Sequence, residues 1–376
     1  MVRELSRNKP QTGKIEERKS DHIRICLRNG VQSKKVTTGF EEVILLHRAL
    51  PQINLEEIDM STTVFKHKFH APILVEAITG GTEQALRINA SIAEAVEEIG
   101  LGMGLGSQRA ALENPKLERT FSVAREKAPN AFLIANIGGS QIAKDYGIKE
   151  VERVVDMISA DALAIHLNPL QEAIQPEGEP HYVGILEKIE KITDRLDVPV
   201  IVKETGAGIA AEDAIKLLNR GVLGVDLAGK GGTSWAAVEY HRAKQRGDES
   251  AKEIGRMLWD WGIPTAVSLV EVSQSVDLTI IASGGIRSGQ DFAKSVALGA
   301  DLVGFAFPIL SAASKGVEKV KAHLHLVIRQ LRTVMFLTGC SSIDRLKNVP
   351  VVVRGKTADW LRLRGFNLER YARGER

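Results

Sequence analysis

The chain has 376 residues, a formal net charge of +3 and only 5% aromatic residues. So balanced a charge offers no global field for nucleic acid, and no apolar run is long enough to span a bilayer. Cys26 and Cys340 lie far apart, with neither a metal-ligand spacing nor a disulfide framework; with a charged N-terminus lacking a signal-peptide core, this sets the expectation of a cytoplasmic protein.

Residues 1 to about 35 are polar and basic and include Arg18-Lys19-Ser20-Asp21-His22. Taken alone, such an arm reads as a solvated terminus. From about residue 71 apolar runs of strand length alternate with segments of helical period, the pattern of a parallel α/β fold. The predicted strands are Pro72 to Ile78, Leu101 to Leu105, Ala131 to Ile137, Asp161 to Leu167, Pro199 to Glu204, Gly224 to Leu227, Leu278 to Ser283 and Asp301 to Ala306. Helical stretches such as Glu83 to Ile99, Lys149 to Ile158 and Ala211 to Arg220 lie between them, with Gly221 and Gly299 placed as C-terminal caps. Eight such units close a (β/α)8 TIM barrel. A doubly wound sheet is the alternative, but Gly102-Met103-Gly104-Leu105-Gly106 matches the dinucleotide fingerprint only in part. The polar stretch Glu239 to Lys252 is expected as a long βα loop. After Phe307 the chain reads as helical, and Val317 to Leu337 is expected as the last barrel helix, extended. His323 and His325 do not share a helical face, so they are expected on its surface rather than on a metal. Three regions result: an N-terminal extension over 1–70, the barrel over 71–340, and a C-terminal helical extension over 341–376.

Functional residues of such a barrel sit at the C-terminal ends of the strands. The late segments Ile281 to Gly289 and Gly299 to Gly304 carry glycines that let backbone N–H groups approach a phosphate, and Arg287 adds a planar donor fork. Other strand ends are equally polar: Thr79-Gly80-Gly81, Ser107-Gln108-Arg109, Asn136-Ile137-Gly138-Gly139, His166 to Glu172, Lys203 to Gly206, and Gly229 to Trp235. Lys203 interrupts an apolar strand. It is either paired with a buried carboxylate such as Glu204 or Asp226, or a Schiff-base lysine, or a cation beside a flavin ring; two phosphate loops with this lysine favour flavin mononucleotide (FMN). Beside Arg109, His166 and Asn168, Glu172 is suited to hold Mg²⁺, with water and phosphate completing the shell. Arg18, Lys19 and Arg109 can neutralise the same anion. His166 is either a phosphate donor or a core histidine bonded to backbone.

These segments resemble the type 2 isopentenyl diphosphate isomerases, and archaeal members in particular. The resemblance runs from Arg18 to about Cys340. It rests on Arg18-Lys19-x-x-His22, Ala77-x-Thr79-Gly80-Gly81, Ser107-Gln108-Arg109, His166-x-Asn168-x-x-Gln171-Glu172, Lys203-Glu204, Gly231 to Trp235 and Ser283 to Arg287. The resemblance implies an FMN-dependent barrel that moves the double bond of isopentenyl diphosphate to give dimethylallyl diphosphate. By that likeness Ala77, Ile78, Thr79, Ser107, Asn136, Lys203, Thr233, Gly285, Ile286, Arg287, Ala306 and Phe307 hold FMN. Substrate contacts fall to Arg18, Lys19, His22, Ser107, Gln108, Arg109, His166, Asn168, Gln171, Thr205 and Trp235. Glu172 binds Mg²⁺, and Gln171 and Glu239 are the catalytic candidates. NAD(P)H is implied as flavin reductant, a homotetramer or homo-octamer as the assembly, and a small prenyl diphosphate as the partner, with no nucleic acid or membrane. A 2-hydroxyacid oxidase is a rival on the same barrel, but no histidine adjoins Arg287. An inosine monophosphate dehydrogenase-like enzyme needs a cysteine where Thr233-Ser234-Trp235 stands. A non-catalytic flavin- or phosphate-binding protein is the third alternative.

Overall fold

The computed structural model describes residues 11–375. Short strands β1 (Val43–Leu45), β2 (Thr62–Val64) and β3 (His67–Phe69) precede the barrel. The barrel strands are β4 (Ile73–Val75), β5 (Gly102–Gly104), β6 (Phe132–Gly138), β7 (Ala162–His166), β8 (Val200–Lys203), β9 (Gly224–Asp226), β10 (Thr279–Ala282) and β11 (Leu302–Phe305). They pair in parallel and close, β11 on β4, into one barrel. All eight expected strands are present, most of them shortened because the chain leaves the ladder at their C-terminal ends to build loops.

The interior is apolar and lies toward the N-terminal pole. Leu74, Phe132, Ile134, Ala162, Ala164, Ile201, Ile281 and Leu302 pack there with Val64 and Phe69 of the β2–β3 hairpin. That hairpin plugs the barrel, with Phe65 stacked on Phe132 at 6.2 Å. A Cβ at Gly102 would stand 2.9 Å from the Phe69 ring. Gly106 passes so near Thr79 that a Cβ would lie 2.5 Å from its backbone. The glycines of 102–106 therefore serve packing, not a dinucleotide. A second apolar layer joins the strands to the helices around them.

Four expectations are corrected. Glu239 to Lys252 is not a loop: helices Trp235–Arg246 and Glu249–Met257 cover it. Ser234 and Asp248 cap them by accepting from Ala237 N and Ala251 N, and Gly247 ends the first at φ 70°. The polar composition misled because Glu239 and Arg242 are buried and ion-paired to each other. The basic arm is also ordered: a helix spans Gln11–Arg28, and its Ile25 packs with Val31, Ala237, Val238 and Trp259. Residues 1–10 lie outside the described residues. The C-terminal segment is not wholly helical, since β12 (Val351–Val353) pairs antiparallel with β1 and ties the two extensions together. His325 is exposed on helix Val317–Thr338, but His323 is half-buried, its ring 5.8 Å from Phe305. No helix among the described residues is long and apolar enough to cross a membrane.

Candidate active site

A cavity of about 1640 Å³, including solvent at its mouth, opens at the C-terminal pole of the barrel. Every expected FMN and substrate residue except Gln108 lines it, as does Glu172. Gln108 is a correction. Its side chain is fully buried behind the wall, where it donates to Val154 O at 2.8 Å and accepts from Asn136 N at 2.9 Å. It braces the loop after β5 against β6 and has no face toward a ligand.

One end of the cavity is a backbone cradle. Gly284 and Gly285 adopt φ of 99° and 72°, left-handed conformations that a side chain resists. A Cβ on Gly285 would press within 2.8 Å of Gly231 C and into the Thr38 methyl, and one on Gly232 within 2.5 Å of Gly285 N. Two glycine turns thus touch each other directly. Arg287 lies over the Phe307 ring at 4.9 Å and donates to Gln32 Oε1 at 2.5 Å. Glycine turns of this kind are suited to a phosphate monoester tail. Gly285→Ala is therefore expected to yield folded protein with at least tenfold weaker FMN retention, measured by flavin absorbance after gel filtration; full retention would refute the cradle.

The floor is charged. The register sets Lys203 of β8 beside Asp226 of β9 and His166 of β7 beside Lys203. Lys203 Nζ lies 2.5 Å from Asp226 Oδ2 and 3.2 Å from Glu76 Oε2. Burial works to lower the ammonium pKa, but Asp226 and Glu76 outweigh it and hold it above its ordinary value. Asp226 is the partner foreseen, whereas the Glu204 carboxylate turns away to accept from the N–H groups of Thr205, Gly206 and Ala207. Glu76 was not foreseen. Its signal is a carboxyl inside the apolar run Ile73-Leu74-Val75-Glu76-Ala77.

The other end is a cluster of cations under the N-terminal helix. Lys19 Nζ donates to Ser107 O at 2.7 Å, and Arg18 and Arg109 line the same space. Arg109 is fixed by Glu113 at 2.7 Å and Glu179 at 2.9 Å. Burial, then the Arg18 charge, pushes the Lys19 ammonium down to about 7. Burial also lowers the Arg18 pKa, whereas Glu113 and Glu179 hold that of Arg109 up, so an anion here would relieve Arg18 and Lys19. His166 Nδ1 meets Asn136 Oδ1 at 2.7 Å. Burial, then Lys203, Lys19 and Arg18, push it down to about 3, so it is neutral at pH 7. With Nδ1–H donating to Asn136, the neutral ring offers Nε2 as an acceptor; donation to a phosphate requires the anion to bring a proton with it or raise this pKa.

Between the two ends, Gln171 Nε2 donates to Glu239 Oε1 at 3.3 Å, and His22 Nε2 lies 3.2 Å from the same oxygen. Arg242 donates to the other oxygen at 2.7 Å. Glu239 is almost wholly buried and does not line the cavity. Burial raises its pKa, but His22 and Arg242 prevail and hold it below the usual range. In this structure it holds His22 and Gln171 from behind the cavity wall. His22 meets the Trp235 ring edge-on at 5.1 Å. Glu172 Oε1 accepts from Asn168 Nδ2 at 2.9 Å and Oε2 from Glu179 N at 2.7 Å. No group of three or more metal-ligating side chains occurs among the described residues, so a metal here needs a substrate's oxygens to complete its shell.

A parallel eight-stranded barrel with a glycine phosphate cradle at its late strands and a buried lysine on its floor defines the class of flavin-binding (β/α)8 proteins. Residues 168–352 match the FMN-dependent dehydrogenase family. The fold is similar to a mandelate oxidase solved with benzaldehyde (TM-score 0.62, 20% identity, 91% of this chain and 98% of that one). It is also similar to a lactate oxidase of Pediococcus acidilactici (TM-score 0.62, 18% identity, 93% and 96%). In sequence, the isopentenyl-diphosphate delta-isomerase of Methanothermobacter thermautotrophicus is 50% identical over 96% of this chain and 99% of its own. Those of Archaeoglobus fulgidus and Pyrococcus furiosus are 48% and 46% identical over 93% and 92% of this chain, covering 99% and 89% of their own. The chain belongs to the isopentenyl-diphosphate delta-isomerase family.

Proposed function

We propose that this chain interconverts isopentenyl diphosphate and dimethylallyl diphosphate, with FMN at the glycine cradle and the diphosphate at the cation cluster. The observation that carries this is the pair of anion grips at opposite ends of one cavity. The residues suit FMN: the turns at Gly231-Gly232 and Gly284-Gly285 are too close for any Cβ, and Lys203 on the cavity floor would meet its ring. When reduced, the flavin supplies an electron-rich ring and an exchangeable proton beside the alkene.

The protein's part is binding, orientation and dryness. Arg18, Lys19 and Arg109 hold the diphosphate, and that remote binding energy aligns the hydrocarbon. Asn168 holds Glu172, which would offer one oxygen ligand to Mg²⁺, the ion then helping to neutralise the diphosphate. Ile23 and Cys26 of the N-terminal helix line the cavity and close it to the water that would trap a carbocation. Trp235 presents an aromatic wall, and its cation–π attraction is worth roughly 0.5–2 kcal/mol. Gln171, fixed by Glu239, borders the hydrocarbon. Reduced nicotinamide, NAD(P)H, delivers the electrons that activate the flavin, and the site of action is cytoplasmic. A homotetramer or homo-octamer buries exposed apolar side chains such as Met257 and Trp261.

The deciding experiment is an anaerobic incubation with isopentenyl diphosphate, FMN, Mg²⁺ and dithionite in D₂O, followed by proton NMR. Dimethylallyl diphosphate with deuterium in a methyl group, formed only with reduced flavin, is expected. Unchanged substrate with reducible bound FMN would refute the isomerase. Glu172→Gln is expected to lower turnover at limiting Mg²⁺ by about tenfold or more, with recovery in excess metal. An unchanged Mg²⁺ titration would remove Glu172 from the metal.

A further inference from the structure

Glu76 follows β4 in the barrel interior, and its two oxygens have different fates. Oε2 lies 3.2 Å from Lys203 Nζ. Oε1 is buried without a hydrogen-bond partner among the described residues. It occupies space left by Gly304, where any Cβ would collide with it. Buried polar atoms are rarely left so, because the lost solvation is costly. An unpaired carboxyl oxygen at the edge of a ligand cavity points to a function that alternates.

Lys203 explains what alternates. An ammonium has three N–H donors. Three acceptors already surround this one: Asp226 Oδ2 at 2.5 Å, Glu76 Oε2 at 3.2 Å and Glu204 O at 3.3 Å. Only Asp226 and Glu204 take directed hydrogen bonds, so a flavin ring that takes the third N–H draws it away from Glu76. Asp226 is also held by Ser283 Oγ at 2.5 Å, and Glu76, an ion-pair contact without a directed hydrogen bond, is the one to yield.

We propose that Glu76 is a redox-linked proton switch, gaining one proton as the bound flavin gains two electrons, which frees Lys203 to turn to the reduced ring. The inference rests on FMN occupying this cavity with Lys203 against its ring. In the balance, oxidised FMN takes two electrons and one proton and becomes an anion. The Glu76 carboxylate takes a second proton and becomes a neutral carboxyl. Dithionite or a reduced nicotinamide gives the electrons, and solvent gives the protons.

Charge supplies the reason. Glu76 faces Lys203 from β8 and Asp226 from β9; Glu204 and His166 stand nearby at the ends of β8 and β7, and Gly304 of β11 brings no charge. Above about pH 8, where Glu76 is ionised, one lysine facing two carboxylates leaves an uncompensated negative charge. A flavin anion added to a buried site would double it, and a proton on Glu76 restores the original balance. Independently, burial, reinforced by Asp226 and opposed by Lys203, pushes the Glu76 carboxyl up to about 8. A proton is therefore exchanged there close to neutrality.

The test is the midpoint potential of flavin-loaded wild type and Glu76→Gln, followed at rising alkaline values above about pH 8 against a reference dye. One proton per electron pair changes the reduction equilibrium tenfold per pH unit, about 30 mV, and two protons a hundredfold, about 60 mV. Wild type is expected to follow the steeper line and Glu76→Gln the shallower one. Glu76→Ala serves the same comparison should the glutamine variant not fold. Parallel lines for wild type and variant would overturn the switch while leaving the flavin site standing. Purified wild type that retains no FMN would overturn both.

Discussion

Lys203→Met is expected to abolish flavin retention and to destabilise the fold by about 3 kcal/mol, at the lower end of what breaking a buried ion pair costs. The lysine is nine-tenths buried, and its ammonium is shared by Asp226 and Glu76. Methionine fills the volume but leaves Asp226 with Ser283 alone. The cost is held down because Glu76, raised to about 8 even beside Lys203, is already neutral at pH 7 and stays so when the lysine is gone. Urea unfolding and flavin absorbance measure the two effects separately. A variant of wild-type stability that still retains FMN would remove Lys203 from both roles.

The double substitution Arg18→Ala and Lys19→Ala is expected to raise KM for isopentenyl diphosphate by about a hundredfold or more. Each charged hydrogen bond is worth roughly 1.5–3 kcal/mol. Flavin binding should be untouched, because the cradle of Gly231-Gly232 and Gly284-Gly285 lies at the other end of the cavity. Equal loss of FMN and substrate affinity would mean that the N-terminal helix is structural only. The single variant Lys19→Arg adds a pH signature. Burial, then Arg18, holds Lys19 at about 7, so in the free protein its charge is present below that value and lost as pH rises through it. Substrate affinity of the wild type is expected to fall as pH increases above about 7. Arginine keeps its charge throughout and should flatten that fall. Identical profiles would exclude Lys19 as the titrating group.

Barrel, cradle and most of the cavity wall were legible in the chain. The β/α rhythm is a local property, since each strand buried on both faces needs an unbroken apolar run. The glycines of 284–285 and the lysine at 203 stand out because they break that run. Glu76 breaks it too, but a lone carboxyl beside the glycine loop Ala77 to Gly81 carries no sign of Lys203 and Asp226, more than a hundred residues away. Gln108 was misjudged for the opposite reason: it adjoins Ser107 and Arg109 in sequence, but the chain turns into helix Arg109–Glu113 there, and its side chain faces the wall.

The polar run Glu239 to Lys252 is a third case. Its charges signal solvent to any reading of composition, yet Glu239 and Arg242 are buried because His22, from more than two hundred residues earlier, and Glu177 reach them. The same holds for β1 and β12, three residues each, too short to announce themselves without a partner. By itself the sequence determined the barrel, its functional pole and the chemical types gathered there, because these depend on period, on backbone freedom at glycine and on which side chains carry charge. Only the tertiary structure decided the state of each group: that His166 is neutral, that Lys203 serves two carboxyls, that Glu239 acts from behind and that Glu76 keeps one oxygen unpaired. Protonation and pairing depend on burial and on distances between residues remote along the chain, and those exist only once the barrel has closed.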